Sequence, residues 1–300
     1  MPQPLVITII LNTNRCADTL ACLTSLAQST YQNNQIIVLD NASSDDSVTA
    51  IRAAFSAVQI IELSTNLGYA GNNNVGIAAA IAQAADWVFV LNEDTILDPD
   101  CIQELVHFGE SDQQIGIVGP MVYHHSEPTV IQSAGGKLGR YWKSQHVAQN
   151  ELDTGQISRP HAVEWISGCA ILVRRAVIAQ VGAIDERFFY YWEETEWCVR
   201  ARAANWKIFQ VPAAKLWHKG VQRDYRPKPA VAYYNTRNQL LLFANHRAPL
   251  IAWIVTLIQL LRTTVSMSLR PKWRSSRTHR NAMVRGMIDF LRQRWGPGPF

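Results

Sequence analysis

The sequence predicts an α/β fold with a mainly parallel central sheet and a helical C-terminal appendage. Three observations predict it. Strand-length apolar runs alternate with helix-length segments through the first 120 residues, polar residues gather just beyond the ends of those runs, and the composition changes after residue 247. The 300 residues are 48% hydrophobic and 17% charged, which supplies a full core and argues against disorder.

The first apolar run, residues 5–11, reads as a buried strand. No basic residue precedes it and no small-residue cleavage site follows, so it is not expected to be a signal peptide. Further strands are expected at 35–40, 59–63 and 87–91, with helices near 17–28, 46–55 and 73–84, the alternation of βαβ units. Asp98-Pro99 supplies an N-cap and a first-turn proline for a helix reaching Phe108, and 115–119 reads as another strand. Residues 121–162, rich in Gly, His, Ser and Gln, predict hairpins or a loop over one face. Residues 163–174 predict a strand containing Ser167-Gly168, followed by a helix, and 229–246 predict another helix.

The net charge of +4 hides an asymmetry. From Arg262 onward nine Lys and Arg stand against Asp289 alone, so residues 1–261 carry 19 basic and 23 acidic side chains. No nucleic-acid motif accompanies the basic tail, and no nucleic-acid partner is expected. The five cysteines form no Cys-x-x-Cys pair, which predicts reduced thiols in a cytosolic protein and neither a disulfide framework nor a zinc site.

In an open parallel sheet, ligands bind at the carboxyl ends of the strands. The second strand ends in Asp40-Asn41-Ala42-Ser43-Ser44-Asp45. Asp40 is positioned to accept hydrogen bonds from a base or ribose, whereas helix capping accounts for Ser43, Ser44 and Asp45. The third strand leads into a stretch from Asn66 and Gly68 to Asn74 and Gly76, which reads either as a turn with a helix cap or as a nucleotide-facing loop. It is neither a dinucleotide fingerprint nor a P-loop. The fourth strand ends in Asn92-Glu93-Asp94, and carboxylates at that edge suit a hard divalent cation that also binds phosphate.

Residues 185–206 place Glu193, Glu194 and Glu196 at the start of a helix, directly behind the aromatic run from Phe188 to Trp192. Acids in a first turn favour the helix dipole, and Glu196 can pair with Arg200 one turn on. A carboxylate beside aromatic walls can equally be tuned as a catalytic base.

In order along the chain, these residues resemble the family-2 glycosyltransferases, and among them the rhamnosyltransferase-like bacterial members. The series runs through Asn12-Thr13-Asn14, Asp40-Asn41-Ala42-Ser43, Asn66-Leu67-Gly68, Asn74-Val75-Gly76 and Asn92-Glu93-Asp94. It continues with Ser167-Gly168-Cys169-Ala170, Gly182 to Glu186, Glu193-Glu194-Thr195-Glu196, Arg200, His218, Tyr234 and Asn238, covering about residues 5–240. The resemblance implies a GT-A fold that binds a nucleotide-diphospho-sugar and a divalent metal, Mn²⁺ or Mg²⁺, and inverts the anomeric centre. It assigns base recognition to Asp40, places Asn14 and Asn74 in the nucleotide pocket, gives Asp94 and His218 to the metal and makes Glu194 the catalytic base. Substrate contacts are expected at Asn66, Gly68, Asn92, Glu93, Gly168, Trp192 and Glu193. Two departures from the family pattern stand out: Asn92 replaces the first acid of its Asp-x-Asp motif, and Glu194 replaces an aspartate.

The expected reaction is a metal-dependent sugar transfer to a glycan or lipid-linked acceptor in cell-surface polysaccharide synthesis. A non-catalytic nucleotide-sugar-binding or membrane scaffold protein is the alternative. A sugar-phosphate nucleotidyltransferase would carry a Gly-rich basic phosphate loop near its start, and residues 9–20 hold only Arg15 and no glycine. Residues 1–247 are expected to form the catalytic domain. Residues 248–300 are expected to lie on an anionic membrane surface at the cytoplasmic face, because the apolar stretch 250–261 is shorter than the ~20 residues a span needs.

Overall fold

The computed structural model describes residues 3–220 and 225–299. Its first half consists of β1 (Val6–Asn12), α1 (Cys16–Ala27), β2 (Asn34–Asn41), α2 (Ser47–Ala54), β3 (Gln59–Leu63), α3 (Gly68–Ala82), β4 (Trp87–Asn92), β5 (Thr95–Leu97), α4 (Cys101–Glu110) and β6 (Ile115–His124). The short strands β7 (Glu127–Ser133), β8 (Gly136–Leu138), β9 (Ser144–His146) and β10 (His161–Ala162) follow. Then come β11 (Ala170–Arg174), α5 (Arg175–Val181), α6 (Glu193–Ala203), β12 (Lys207–His218), α7 (Pro229–Asn245), α8 (Leu250–Leu269) and α9 (Arg277–Leu291).

β3, β2, β1 and β4 pair in parallel, in that spatial order. β11 then runs antiparallel to both β4 and β6, while β6 and β12 pair in parallel, so the sheet is mixed beyond β4. β1 and β4 read as continuous apolar runs because helices cover both faces of the sheet. Val6 and Ile10 pack in one core with α1 and α4, and Ile7 and Ile9 pack in another with α3 and α6.

Several boundaries differ from the sequence expectation. α3 begins at Gly68 rather than at residue 73, because Asn66 Oδ1 accepts from Gly68 N–H at 2.9 Å and Asn72 Oδ1 accepts from Leu67 N–H at 3.0 Å. Those side chains stabilise a helix start that asparagine and glycine disfavour by propensity. Gly68 itself has φ +77°, and a Cβ there would lie 2.5 Å from Phe189. The strand expected over 163–174 begins only at Ala170, since Ser167 O accepts from Ala170 N–H and closes a turn. Asp98 and Pro99 lie ahead of α4, whose N-cap is Asp100. β6 continues to His124 because β12 and β7 flank it. The apolar segment at 250 runs through Arg262 to Leu269 as one helix.

The C-terminal region does not form a separate lobe. α9 packs along α7, Tyr233 donates to Asp289 at 2.9 Å, and Arg237 reaches Gly296 O at 2.8 Å. Arg237 is wholly buried and donates to Phe188 O at 3.0 Å and to Asn238 Oδ1 at 2.9 Å, with ring faces of Tyr233 and Tyr234 beside it. Replacing it removes the donor to Asn238 Oδ1 and Gly296 O, while Phe188 O keeps its bond from Asn238 Nδ2. Arg237→Met is expected to lower stability by about 3–5 kcal/mol, read as a shift of the urea midpoint; a midpoint within error of the parent would show that these bonds contribute nothing.

Candidate active site

Strand register assembles the polar edge. Asn12 pairs opposite Asp40, and Leu11 opposite Asn92, so the carboxyl ends of β1, β2 and β4 are level. Asp40 is buried; its Oδ1 accepts from Asn12 Nδ2 at 2.7 Å and its Oδ2 from Ser43 N–H at 3.0 Å. Asn14 Oδ1 accepts from Ser44 N–H at 2.7 Å, clasping the β1 and β2 loops together. Asn41 Oδ1 is buried at this edge with no hydrogen-bond partner.

Just past β4, β12 returns antiparallel to β5 and sets His218 opposite Thr95, beside Asp94. His218 Nε2 lies 3.0 Å from Asp94 Oδ1, yet that oxygen is buried and takes no aligned hydrogen bond. His218 Nδ1 is 2.7 Å from Gln132 Oε1, and since an amide oxygen only accepts, the ring must donate there. Nε2 therefore faces the Asp94 carboxylate either as a lone pair or as a second N–H. A Cβ on Gly220 would lie 2.8 Å from His218 Nε2 and 2.9 Å from Asp94 Oδ2, so the backbone passes closely over the pair.

Arg15 stands 3.5 Å from both Glu93 Oε1 and Asp94 Oδ2 and 3.1 Å from Asp18, while Lys219 Nζ donates to Asp18 at 2.9 Å. Burial and the neighbouring Asp94 push the Glu93 carboxyl up to about 7. Burial also pushes Asp94 upward, but His218 and Arg15 outweigh it and hold this carboxyl below its ordinary value. Neither Arg15 nor Lys219 was singled out as a site residue from sequence. Arg15 was legible only as the lone cation of the first loop, and Lys219 only as the neighbour of His218.

Opposite this cluster, Asn92 N–H donates to Cys169 O at 2.9 Å, which hangs the Gly168 turn on the end of β4. Tyr69 Oη reaches from α3 to donate to Gly168 O at 2.5 Å. A Cβ on Gly168 would sit 3.5 Å from Glu194 Cγ, so Glu194 faces this turn. Glu194 is partly buried and accepts from Thr195 Oγ1 at 3.2 Å; burial raises its carboxyl above the ordinary glutamate value. Glu193 is more deeply buried, with Oε2 lacking a partner, and burial together with Glu194 raises it further. Glu196 is occupied elsewhere: it pairs with Arg200, as the spacing predicts, and with His246, both at 2.9 Å.

The aromatic run ahead of α6 is an irregular loop. Phe189, Tyr191 and Trp192 have φ of 62°, 69° and 74°, a left-handed region that costs bulky residues about 1–3 kcal/mol each. Asn238 Nδ2 opposes that cost by donating to the carbonyls of Phe188, Tyr190 and Tyr191 at 2.8–2.9 Å. Phe188 is core, Tyr190 is exposed, and the Trp192 indole donates to Asn235 at 2.9 Å.

Asn74 is engaged within the fold. Its carboxamide accepts from Ile184 N–H at 3.0 Å and donates to Ile184 O at 2.9 Å and Glu186 at 3.0 Å, so it fastens α3 to the segment ahead of the aromatic loop. Asn66 is likewise spent on the start of α3. The structure thus gathers Asp40, Asn92, Glu93, Asp94, Gly168, Glu194 and His218 along one edge, with Asn14 on the adjoining loop.

Residues 6–182 match the family described as Glycosyl transferase family 2. The chain is 30% identical, over 88% of its length and 92% of the relative's, to the N-acetylglucosaminyl-diphospho-decaprenol L-rhamnosyltransferase of Mycobacterium tuberculosis. It is 24% identical, over 78% of its length and 79% of the relative's, to the dTDP-rhamnosyl transferase RfbF of Shigella flexneri. Among solved structures it is similar to the mannosyltransferase PcManGT of Pyrobaculum calidifontis, in complex with GDP-Man and Mn²⁺. That likeness has a TM-score of 0.62 at 14% identity and covers 97% of this chain and 88% of the other. The fold is therefore of the GT-A type, with a central sheet and a helical C-terminal part. This chain belongs to glycosyltransferase family 2, with rhamnosyltransferases among its relatives.

Proposed function

We propose that this protein transfers a sugar, rhamnose by analogy with its named relatives, from a nucleotide-diphospho-sugar to a hydroxyl of a glycan or lipid-linked acceptor. The observation that carries this reading is that Glu194 faces the Gly168 turn, and that this turn is bonded through Cys169 O to Asn92, two residues before Asp94 at the sheet's carboxyl edge. In the reaction the acceptor oxygen bonds to the anomeric carbon as the bond from that carbon to the diphosphate oxygen breaks, with inversion. Glu194 takes the acceptor's hydroxyl proton, and the electron pair leaves on the diphosphate. Arg15 and Lys219 stand where leaving-group charge grows. Burial and the neighbouring Glu194 favour the neutral form of Glu193, which lessens negative charge beside the base. Asp40 and the buried Asn41 Oδ1 supply acceptors for base or ribose, and Tyr190 with Trp192 offers ring surface to the acceptor.

Among the described residues, a divalent ion fits between Asp94 and the diphosphate, beside His218. Asp94 Oδ1 lacks an aligned donor, and His218 Nε2 opposes it at 3.0 Å. Asp94 and His218 would hold Mn²⁺ or Mg²⁺ there, where it would neutralise diphosphate charge. The amide of Asn92 leaves one protein carboxylate where the family has two, and among the described residues no three His, Cys, Asp or Glu side chains cluster as a ready metal cage. The remaining ligands would come from the diphosphate and water. Gln132 fixes the ring that faces Asp94, so Gln132→Leu is expected to weaken Mn²⁺ binding by about 10–100-fold, measured by Mn²⁺ titration with donor present. Unchanged affinity would remove both Gln132 and His218 from this account.

The transferase reading is tested by release of free nucleoside diphosphate from dTDP-rhamnose with an N-acetylglucosaminyl-diphospho-lipid. Release only when donor and acceptor are both present supports it. A protein that binds donor but never turns it over is the scaffold instead.

The same reading places residues 248–300 on an anionic membrane at the cytoplasmic face, with residues 1–247 as the catalytic body. Leu250, Ile254, Leu257, Ile258, Leu261 and Val265 are exposed along one stripe of α8, which supports it. α8 has the length and mean hydropathy of a membrane span, yet its opposite face is engaged. Ala252 is wholly buried, Trp253 packs on Phe243 and Phe290, and Arg280 donates to Ser268 at 3.2 Å. Leaving these contacts to cross a bilayer would expose the α9 face, so a helix lying in the interface is favoured.

A further inference from the structure

We propose that the groove between the C-terminal half of α8 and the 3-10 turn Pro271–Ser276 is a binding site for the phosphate group of a membrane lipid, whose chains lie along the apolar stripe of α8. The inference deepens the membrane-facing reading above and rests on it. The groove encloses about 380 Å³ and is lined by Arg262, Thr263, Ser266, Arg270, Lys272 and Trp273. Arg262, Ser266 and Arg270 recur every four residues and so share one side of the helix. On the helix, Arg262 falls just beyond the edge of the exposed apolar row that includes Ile258, Leu261, Val265 and Leu269. A lipid phosphate in the groove would therefore have its chains directed onto that row.

Charge supports this occupant. The sequence contains no Asp or Glu between Asp224 and Asp289, and Asp289 is engaged by Tyr233 and Arg285. Arg262, Arg270 and Lys272 form no salt bridge among the described residues, so three like charges face one cavity and a phosphate relieves their repulsion. Guanidinium forks match phosphate oxygens two at a time, and the hydroxyls of Thr263 and Ser266 add donors. Lys272 Nζ lies 5.2 Å from the Trp273 ring centre, and an indole at a cationic rim suits the level of lipid headgroups. The carbonyl end of α8 carries partial negative charge that opposes an anion, so binding depends on those cations. All lining residues lie in 259–273, outside the elements that hold the catalytic edge. An apolar row beside the cations fits a lipid and has no use for a nucleic-acid backbone.

The test is co-sedimentation of the full chain with phosphatidylcholine vesicles doped with phosphatidic acid or with phosphatidylserine at matched surface charge. A groove that grips phosphate oxygens prefers phosphatidic acid, whose terminal phosphate is open, whereas a merely basic surface takes both equally. Each of Arg262→Ala, Arg270→Ala and Lys272→Ala is expected to weaken binding to phosphatidic acid vesicles about fivefold, and the triple variant roughly a hundredfold. Arg292→Ala with Arg294→Ala, outside the groove, is expected to weaken both vesicle types alike. Equal binding of the parent to the two vesicle types, failure to bind either, a triple variant that binds like the parent, or duplex DNA competing as well as phosphatidic acid vesicles would each overturn the site. A chain that keeps its preference for phosphatidic acid but transfers no sugar would instead fail the transferase reading and leave this one standing.

Discussion

Glu194→Gln is expected to keep donor affinity and lose about 10²–10⁴ in turnover, the usual cost of removing a general base. The amide fills the same space beside Gly168 and still accepts from Thr195 Oγ1, but it cannot take a proton. Because burial raises the Glu194 carboxyl, the parent's kcat/KM should climb with pH along a limb lying above the ordinary glutamate range. The base works only when deprotonated, so activity is lost as pH falls through that raised value, and the limb should vanish in the Gln variant. Stability runs the other way. Groups whose folded pKa is raised favour the fold while protonated, so the contribution of Glu193 and Glu194 is lost as pH rises through their folded values. Donor titration, pre-steady-state turnover and a pH profile on both proteins check the prediction. Turnover near that of the parent would shift the role to Glu193, since Glu196 is tied to Arg200 and His246.

The second large effect is expected at Asp94. Asp94→Asn replaces the only aspartate at the end of β4 with a neutral amide and should abolish most of the metal-dependent gain in donor affinity, leaving the metal-free affinity nearly unchanged. Asp40→Ala should behave oppositely. It weakens nucleotide binding with or without metal, because it removes the carboxylate that aligns Asn12 and the Ser43 amide at the edge. Calorimetric titration of donor at several Mn²⁺ concentrations separates the two variants. A metal response in Asp94→Asn identical to the parent's would dismiss the Asp94–His218 pair as the ion's place.

Much of the fold was legible because its cause is local. The runs that form β1, β2, β3 and β4 are apolar enough to be read as strands of a parallel sheet, and the acids, amides and serines beyond them mark the ligand edge without reference to any other part of the chain. The Glu196–Arg200 pair followed from helical spacing alone. Where the cause was a distant contact, local reading failed. The asparagine-rich stretch after Asn66 looked like a loop by propensity, and only side-chain caps and the packing of Phe189 against Gly68 make it helical from that glycine.

The sequence by itself determined the alternation of strands and helices over the first 120 residues, the polar edge and the three glutamates behind an aromatic run, because hydrophobic period and capping chemistry act over a few residues. Tertiary structure alone decided which of those polar groups have work left to do. Asn74 is consumed by Ile184, and Glu196 by Arg200 and His246, while Glu194 is turned towards Gly168 and Asp94 is set against His218 from a strand some 120 residues later. Tertiary packing likewise decided that α8 presents an apolar row and a three-cation groove outward, by burying its other face against α7 and α9. The physical reason is the same in each case. A side chain's hydrogen-bonding capacity and charge are fixed by its chemistry, but whether they are already satisfied depends on partners brought from far along the chain.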